Sequence, residues 1–297
     1  MRVDSPQTPP STRILGVGTA TVDIVNEVDS YPAEDSKVRA LCRRIGCGGN
    51  AANTLIALRH LGYQCSWAGI LADLPESEPI ICGLHAKSVD MACAVRDPEG
   101  ETPTSYVTLN RTNGSRTITH YRRLREFTDA DFGALDLSRF DWVHFEGRNP
   151  PELEKMMSRL KLANGPLSSL EAEKPRVGIE RLFPLATVIL FSSDYARWRG
   201  FDDGESFLDT IRTEIGPDRL FTCAWGVQGA WGVGADGRIA HAPAVLSSGV
   251  VDTLGAGDVF NAAVIDGVIQ SRMLSELLAR ACQLAGRKCR HLGVFLD

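Results

Sequence analysis

No stretch of this chain holds the ~20 consecutive apolar residues that a membrane-crossing helix needs, so a protein of that kind is not expected. Nor is there an excess of positive charge. The formal net charge is −5, which argues against nucleic acid as the main partner, because phosphate backbones are bound through clustered Lys and Arg. The short basic run of Arg122, Arg123 and Arg125 reads as a solvated face. The eight cysteines are scattered, with no C-x-x-C pair and no histidine at zinc spacing. Residues 1–12 (MRVDSPQTPPST) hold three prolines and lack the apolar core of a secretory leader. They read as a flexible tail, and a cytoplasmic protein with reduced thiols is the matching expectation. Internal repeats, low-complexity tracts and an interdomain linker are missing as well. The chain therefore suits one domain over residues 13–297.

What the chain does have is alternation. Residues 13–18 form a short apolar run ending in glycine, the pattern of a buried strand. Residues 22–28 and 38–45 are two extended runs with turn residues, and no helix, between them. Residues 104–109 and 116–121 are two more, joined by the hairpin signal Asn113-Gly114. Together they predict a small β-flap lid over about 22–46 and 104–121. Elsewhere strands (65–69, 89–95, 142–145, 187–191, 220–225) and helices (76–87, 151–162, 206–213) are expected in turn. A hairpin (231–233 with 238–241) and two helices (257–270 and 274–288) complete the pattern. Such alternation predicts an α/β fold, a doubly wound, mainly parallel sheet with ligands beyond the carboxyl ends of its strands.

Two glycine-rich turns lie at strand-to-helix junctions. The early one, Gly46-Cys47-Gly48-Gly49-Asn50, opens a helix with Leu55, Leu58 and Leu61 at helical spacing. Asn50 and Asn53 share a face near its start. The late one lies in VVDTLGAGDVFNAAVI, residues 250–265. Gly255 and Gly257 lack a Cβ, so the backbone can turn its N–H groups toward an anion, and the following helix aims its positive dipole end at the same spot. Asp258 sits where turn becomes helix, and those N–H groups are expected to hold its carboxylate ionised. A base beside an anion hole suits phosphoryl transfer to a hydroxyl. From the residues alone, plainer readings stay open: Asp258 as a dipole-compensating residue, Asn50 as an N-cap, Asn53 as a solvent-facing amide.

The two motifs in this order, GGNAAN and DTLGAGD, resemble the paired signatures of the PfkB (ribokinase-like) family of sugar and nucleoside kinases. The resemblance runs from about Ile14 to Gly293. Further strings are similar to the fructose-phosphorylating branch of that family: Tyr31-Pro32 with Glu34-Asp35-Ser36, His144 with Glu146-Gly147-Arg148-Asn149, Glu171-Ala172-Glu173-Lys174, and Ala285-Gly286 with Lys288-Cys289. The resemblance implies a ribokinase-like fold and an ATP-dependent kinase acting on the 1-hydroxyl of fructose. By matching positions, Asp258 would be the general base, and the N–H groups of Gly255, Ala256 and Gly257 would stabilise the transferring phosphoryl group. Asp23, Gly49, Asn50 and Asn53 would hold the sugar, and Arg116 would pair with phosphate. Ala224, Gly226, Gly229, Phe260 and Cys289 would lie near the nucleotide, with Phe260 equally readable as core. Mg2+ is expected with ATP, with Glu173 or its neighbour Glu171 toward its water shell, unless these are a solvated strand end. Asp252 and the Leu254 carbonyl hold the position of a family-type potassium site, unless Asp252 caps a turn. The flap would also clasp a second subunit in a homodimer, with Asp35 reaching the partner's sugar.

Departures from the family fall mostly on the nucleotide side. Residues 71–75 lack the usual glycine, Ser193 stands in place of a lysine, and Gly226-Val227-Gln228 replaces an acidic pair. Residues 121–126 differ from the corresponding loop. The alternatives are a ribose or nucleoside kinase of the same family, and a non-catalytic sugar- or nucleotide-binding paralogue. The intact Asp258 and its glycines argue against the latter. A dinucleotide-dependent dehydrogenase is weaker still, because the first junction (residues 16–21) lacks the third glycine and continues as an extended segment.

Overall fold

The computed structural model describes residues 12–245 and 250–294, so the expected tail falls almost wholly outside the described residues. The chain begins with β1 (Arg13–Val17), β2 (Thr21–Val28) and β3 (Cys42–Gly48), followed by α1 (Asn50–His60). Next come β4 (Gln64–Ala68), β5 (Ile70–Ala72), α2 (Glu78–Ala86), β6 (Val95–Asp97), β7 (Glu101–Asn110) and β8 (Arg116–Arg123). After α3 (Asp129–Gly133) the chain forms β9 (Trp142–Glu146), α4 (Pro150–Leu162), β10 (Leu167–Ala172) and β11 (Val188–Ser192). Then follow α5 (Ser193–Trp198), α6 (Gly204–Ile215) and β12 (Leu220–Ala224). The hairpin β13 (Ala230–Val233) and β14 (Ile239–Ala242) precedes α7 (Ala256–Ile269) and α8 (Leu274–Lys288).

Eight strands make the main sheet in the order β14-β13-β12-β11-β10-β9-β1-β4. It is parallel from β12 to β4, with the hairpin antiparallel at one edge. Its strands are apolar on both faces because both are covered. Ile14 and Leu190 pack on one side with Leu55, Val264 and Leu278 of α1, α7 and α8. Their chain neighbours Leu15 and Phe191 point the other way, onto Met156 and Ile211 of α4 and α6. This is the expected doubly wound α/β architecture.

The flap is a separate sheet, β3-β2-β7-β8. Its β7–β8 turn closes as Asn113-Gly114 predicts, with Gly114 at φ 69° and its N–H donating to the Asn110 carbonyl at 2.8 Å. Register sets its two faces. Asp23, Ser105 and His120 stand side by side across β2, β7 and β8 and line a cleft, whereas Ile45 and Tyr106 on the opposite face are exposed.

Two expectations differ from the structure. The strand expected at 89–95 is a single bridge, Ser66 with Asp90, because the Asp90 carboxylate accepts the Ala92 N–H at 3.0 Å and turns the chain. Strand β6 starts only at Val95 and pairs with β5 outside the main sheet. In the centre, β10 was not expected, since LSSLEA is interrupted by serines. Those serines are buried, and Ser169 Oγ meets Trp142 Nε1 and His144 Nδ1 of β9, each at 2.9 Å. A polar pair is satisfied across the ladder, which no local pattern reveals.

Candidate active site

A cleft of about 410 Å3 opens at the carboxyl ends of β1, β9, β10, β11 and β12, under the flap. That is an ordinary volume for a small-molecule site. Both glycine turns face it.

The early turn depends on Gly49. Its φ is 101°, and an added Cβ would stand 2.5 Å from the Thr19 carbonyl oxygen, so only glycine fits. Gly49 begins α1 with no side-chain cap, which leaves Asn50 and Asn53 free for the cleft. Asn50 Nδ2 donates to Glu171 Oε2 at 3.2 Å and to Glu173 Oε2 at 3.0 Å. Asn53 Nδ2 donates to Asp258 Oδ2 at 2.8 Å. Neither is the simple cap or solvent-facing amide that the residues alone left possible. From the flap, Asp23 accepts from Thr21 Oγ1 at 2.7 Å. Burial raises its carboxyl above the ordinary aspartate range, against hydrogen bonds from Thr21 and Ser105.

The late turn places Gly255 at φ 81° as the residue preceding α7, and Asp258 in that helix's first turn. The Asp258 carboxyl is pushed up to about 8, chiefly by burial, which outweighs the Asn53 hydrogen bond, with Glu173, Glu146 and Asp23 adding repulsion. The expectation that helix-end N–H groups hold it ionised is therefore overturned: desolvation and neighbouring carboxylates dominate. Gly255 and Gly257 line the cleft. The Ala256 N–H instead donates to the Thr253 carbonyl at 3.3 Å, so the cleft-lining part of the turn is its two glycines.

Glu171 is among the residues expected on the metal side, whereas Glu146 and several other cleft residues escaped the sequence reading. Glu146 and Glu171 end two adjacent parallel strands, β9 and β10. Glu146 accepts the Thr19 N–H at 2.7 Å and the Thr19 hydroxyl at 2.8 Å. Glu171 accepts from Asn261 Nδ2 at 2.9 Å, and burial with Asp258, Glu146 and Glu173 nearby lifts it well above the usual glutamate range. The available signal was an acid closing an otherwise buried strand, as in WVHFE. Arg148, Lys174, Arg176 and His120 add a basic wall, beside the expected Arg116, whose Nη1 donates to Thr253 Oγ1 at 2.6 Å.

The remaining expected residues divide. Ala224 lines the cleft. Gly226 and Gly229 instead shape the turn after β12, through the Gly229 N–H to the Gly226 carbonyl at 3.1 Å. Phe260 is core, 4% exposed, on the buried side of α7. Cys289 accepts the Val251 and Asp252 N–H groups on its carbonyl. Among the described residues, none of these four belongs to the cleft wall. Asp35 lies on an exposed flap turn at φ 55° and does not line its own chain's cleft.

The two expected cations fare differently. No three described His, Cys, Asp or Glu side chains converge as a direct metal chelate. The buried Glu171, with Glu173 and Asp258 about it, nonetheless gathers carboxyl groups whose ionised forms a cation would stabilise. That fits Mg2+, which keeps its waters and is shared with substrate phosphates. Potassium at Asp252 does not fit. Its carboxylate accepts the Leu254 N–H at 2.9 Å and the Gly293 N–H at 3.2 Å, and the Lys288 ammonium lies 3.6 Å away. The position is already served by a cation of the chain.

Comparison with known proteins gives the site its context. The chain is 38% identical over 285 residues to ketohexokinase of Mus musculus, covering 93% of this chain and 96% of that protein. It is 25% identical over 296 residues to fructosamine kinase FrlD of Bacillus subtilis, covering 95% and 93%. In fold it is similar to Arabidopsis thaliana ribokinase complexed with ribose and ATP, with a TM-score of 0.78, 18% identity, and 96% and 94% of the two chains covered. Residues 11–295 match the pfkB family of carbohydrate kinases. With nearly its whole length matched, and both glycine turns facing one cleft, the chain belongs to the PfkB family of carbohydrate kinases.

Proposed function

We propose that the protein is an ATP-dependent kinase that phosphorylates fructose on its 1-hydroxyl. The observation that carries this reading is the meeting of Asp258 with Asn53 at 2.8 Å, inside a cleft also walled by Asp23, Asn50 and Arg116. The 38% identity to ketohexokinase supports fructose as the acceptor.

In this mechanism Asp23, Asn50 and Asn53 hydrogen-bond the sugar hydroxyls, with Gly49 giving the sugar room beside the backbone. Asp258 accepts the proton of the 1-hydroxyl as that oxygen attacks the γ-phosphorus and the bond to the bridging oxygen of ADP breaks. A carboxyl held up to about 8 is a stronger base than an ordinary aspartate, which suits removal of an alcohol proton. The N–H groups of Gly255 and Gly257, with Arg116, stabilise the phosphoryl oxygens. Bound with ATP, Mg2+ would supply further charge neutralisation, and Glu171 and Glu173 would be the residues that hold it. The nucleotide lies toward β12 and Ala224.

We place the catalytic unit at residues 13–297, in the cytoplasm. The exposed Ile45, Tyr106 and Tyr121 on the flap's outer face support a homodimer through the flap, with Asp35 at its tip entering the partner's cleft. Sedimentation of wild type and Asp35→Ala, with turnover measured on dilution, tests this. A fully active monomer would remove the dimer.

The test of the activity is ADP release with MgATP and fructose, ribose or adenosine. Fructose-dependent turnover that disappears in Asp258→Asn is expected. Turnover with ribose or adenosine alone would transfer the protein to a neighbouring branch. A folded protein that binds sugar without turnover would be the non-catalytic paralogue.

A further inference from the structure

Lys288, the last residue of α8, is 0% exposed. A buried ammonium is costly unless its charge and donors are met. Here Nζ donates to the Asp252 carbonyl oxygen at 2.7 Å and lies 3.6 Å from Asp252 Oδ2. The surroundings are tied together on both sides. The Cys289 carbonyl, next in the chain, accepts the Val251 N–H at 2.8 Å and the Asp252 N–H at 3.2 Å. The Asp252 carboxylate accepts the Leu254 N–H and the Gly293 N–H. A single positive charge thus meets a carbonyl and a carboxylate oxygen, two residues upstream of the Leu254–Gly255 step into α7.

Those are the hard oxygen donors a monovalent metal cation would use. We propose that Lys288 is a built-in monovalent cation: its ammonium occupies the place potassium would take, holds the 252–254 segment against the end of α8, and makes turnover independent of potassium. The inference rests on the kinase reading for its catalytic half. Lys288 does not line the cleft, so it is a positioning residue for the glycine turn.

The experiment exchanges KCl for tetramethylammonium chloride at constant ionic strength, reading both kcat with MgATP and fructose and the melting temperature of the sugar-free protein. Wild type is expected to show no saturable response to K+ in either. Lys288→Met is expected to lose about 10–100-fold in kcat, the range typical when an outer support of a charged site is removed. K+ or NH4+ should then recover part of that loss saturably and raise the variant's melting temperature. A saturable K+ response in wild type would overturn the proposal, and this arm decides even if the variant fails to fold. A folded Lys288→Met that keeps full turnover, or whose loss no cation recovers, would also overturn it. Should no acceptor be phosphorylated, the melting arm still reports on the cation site, so failure of the kinase reading is separable.

Discussion

The two glycine turns are built alike and used differently. Gly49 and Gly255 both precede a helix with positive φ, at 101° and 81°, and neither helix start has a side-chain cap. Yet α1 has no acid in its first turn and offers amides, whereas α7 offers Asp258. Amides satisfy carboxylates without changing net charge, so Asn50 and Asn53 can hold Glu171, Glu173 and Asp258 in one place. The carboxylate keeps the titratable proton. On the proposed mechanism, one turn organises and the other reacts.

The most severe break in that comparison is Asp258→Asn. Removing a general base should lower kcat by at least ~10²-fold while leaving sugar binding measurable by calorimetry. Near-normal turnover would reassign the base. The same variant carries a stability signature. The folded-state pKa of Asp258 is raised from 3.8 to about 8, so its ionisation opposes folding increasingly between those values and fully above about 8. Asp258→Asn should therefore gain melting temperature relative to wild type at pH 9 and gain none at pH 4. The reverse order would contradict the raised pKa.

A milder test removes the link between the turns. The Asn53 hydrogen bond lowers the Asp258 pKa, so Asn53→Ala should raise it further. Because the base acts when ionised, kcat/KM falls as pH drops through that pKa. The acid limb of the profile should move to higher pH in Asn53→Ala, with about a tenfold loss at pH 7 if one charge-assisted hydrogen bond is lost. An unmoved limb would mean the pair does not tune the base.

The smallest effect belongs to Asn50→Ala. Its amide bridges two glutamates and lines the cleft, so on the proposed function KM for sugar should rise about 2–10-fold, the worth of one neutral hydrogen bond, with kcat nearly kept. An unchanged KM in a folded variant would make Asn50 purely a support for the glutamates.

Much of this was legible in the chain. The strands β1, β9 and β11 are short apolar runs, the flap hairpin is marked by Asn113-Gly114, and both glycine turns stand at strand-to-helix junctions. Pairing across the sheet was not. Strand β10 carries buried serines, of which Ser169 meets its partners on β9, and Asp90 bends away a run that looks like a strand. Phe260 shows the same limit: its place beside the motif suggests a ligand contact, while the helix rotation turns it into the core.

The sequence by itself determined the two motifs, their order and the local backbone they require, because glycine's lack of a Cβ and the apolar periodicities act within a few residues. Tertiary structure alone decided the electrostatics. Glu146, the neighbouring Glu171 and Glu173, and Asp258 come from three separate stretches of the chain and become one acidic cluster only when strand ends converge under the flap. Lys288 meets Asp252 only when the end of α8 packs against the approach to α7. Charge acts through space and burial sets its strength, so a carboxyl's pKa and a cation's place belong to the fold.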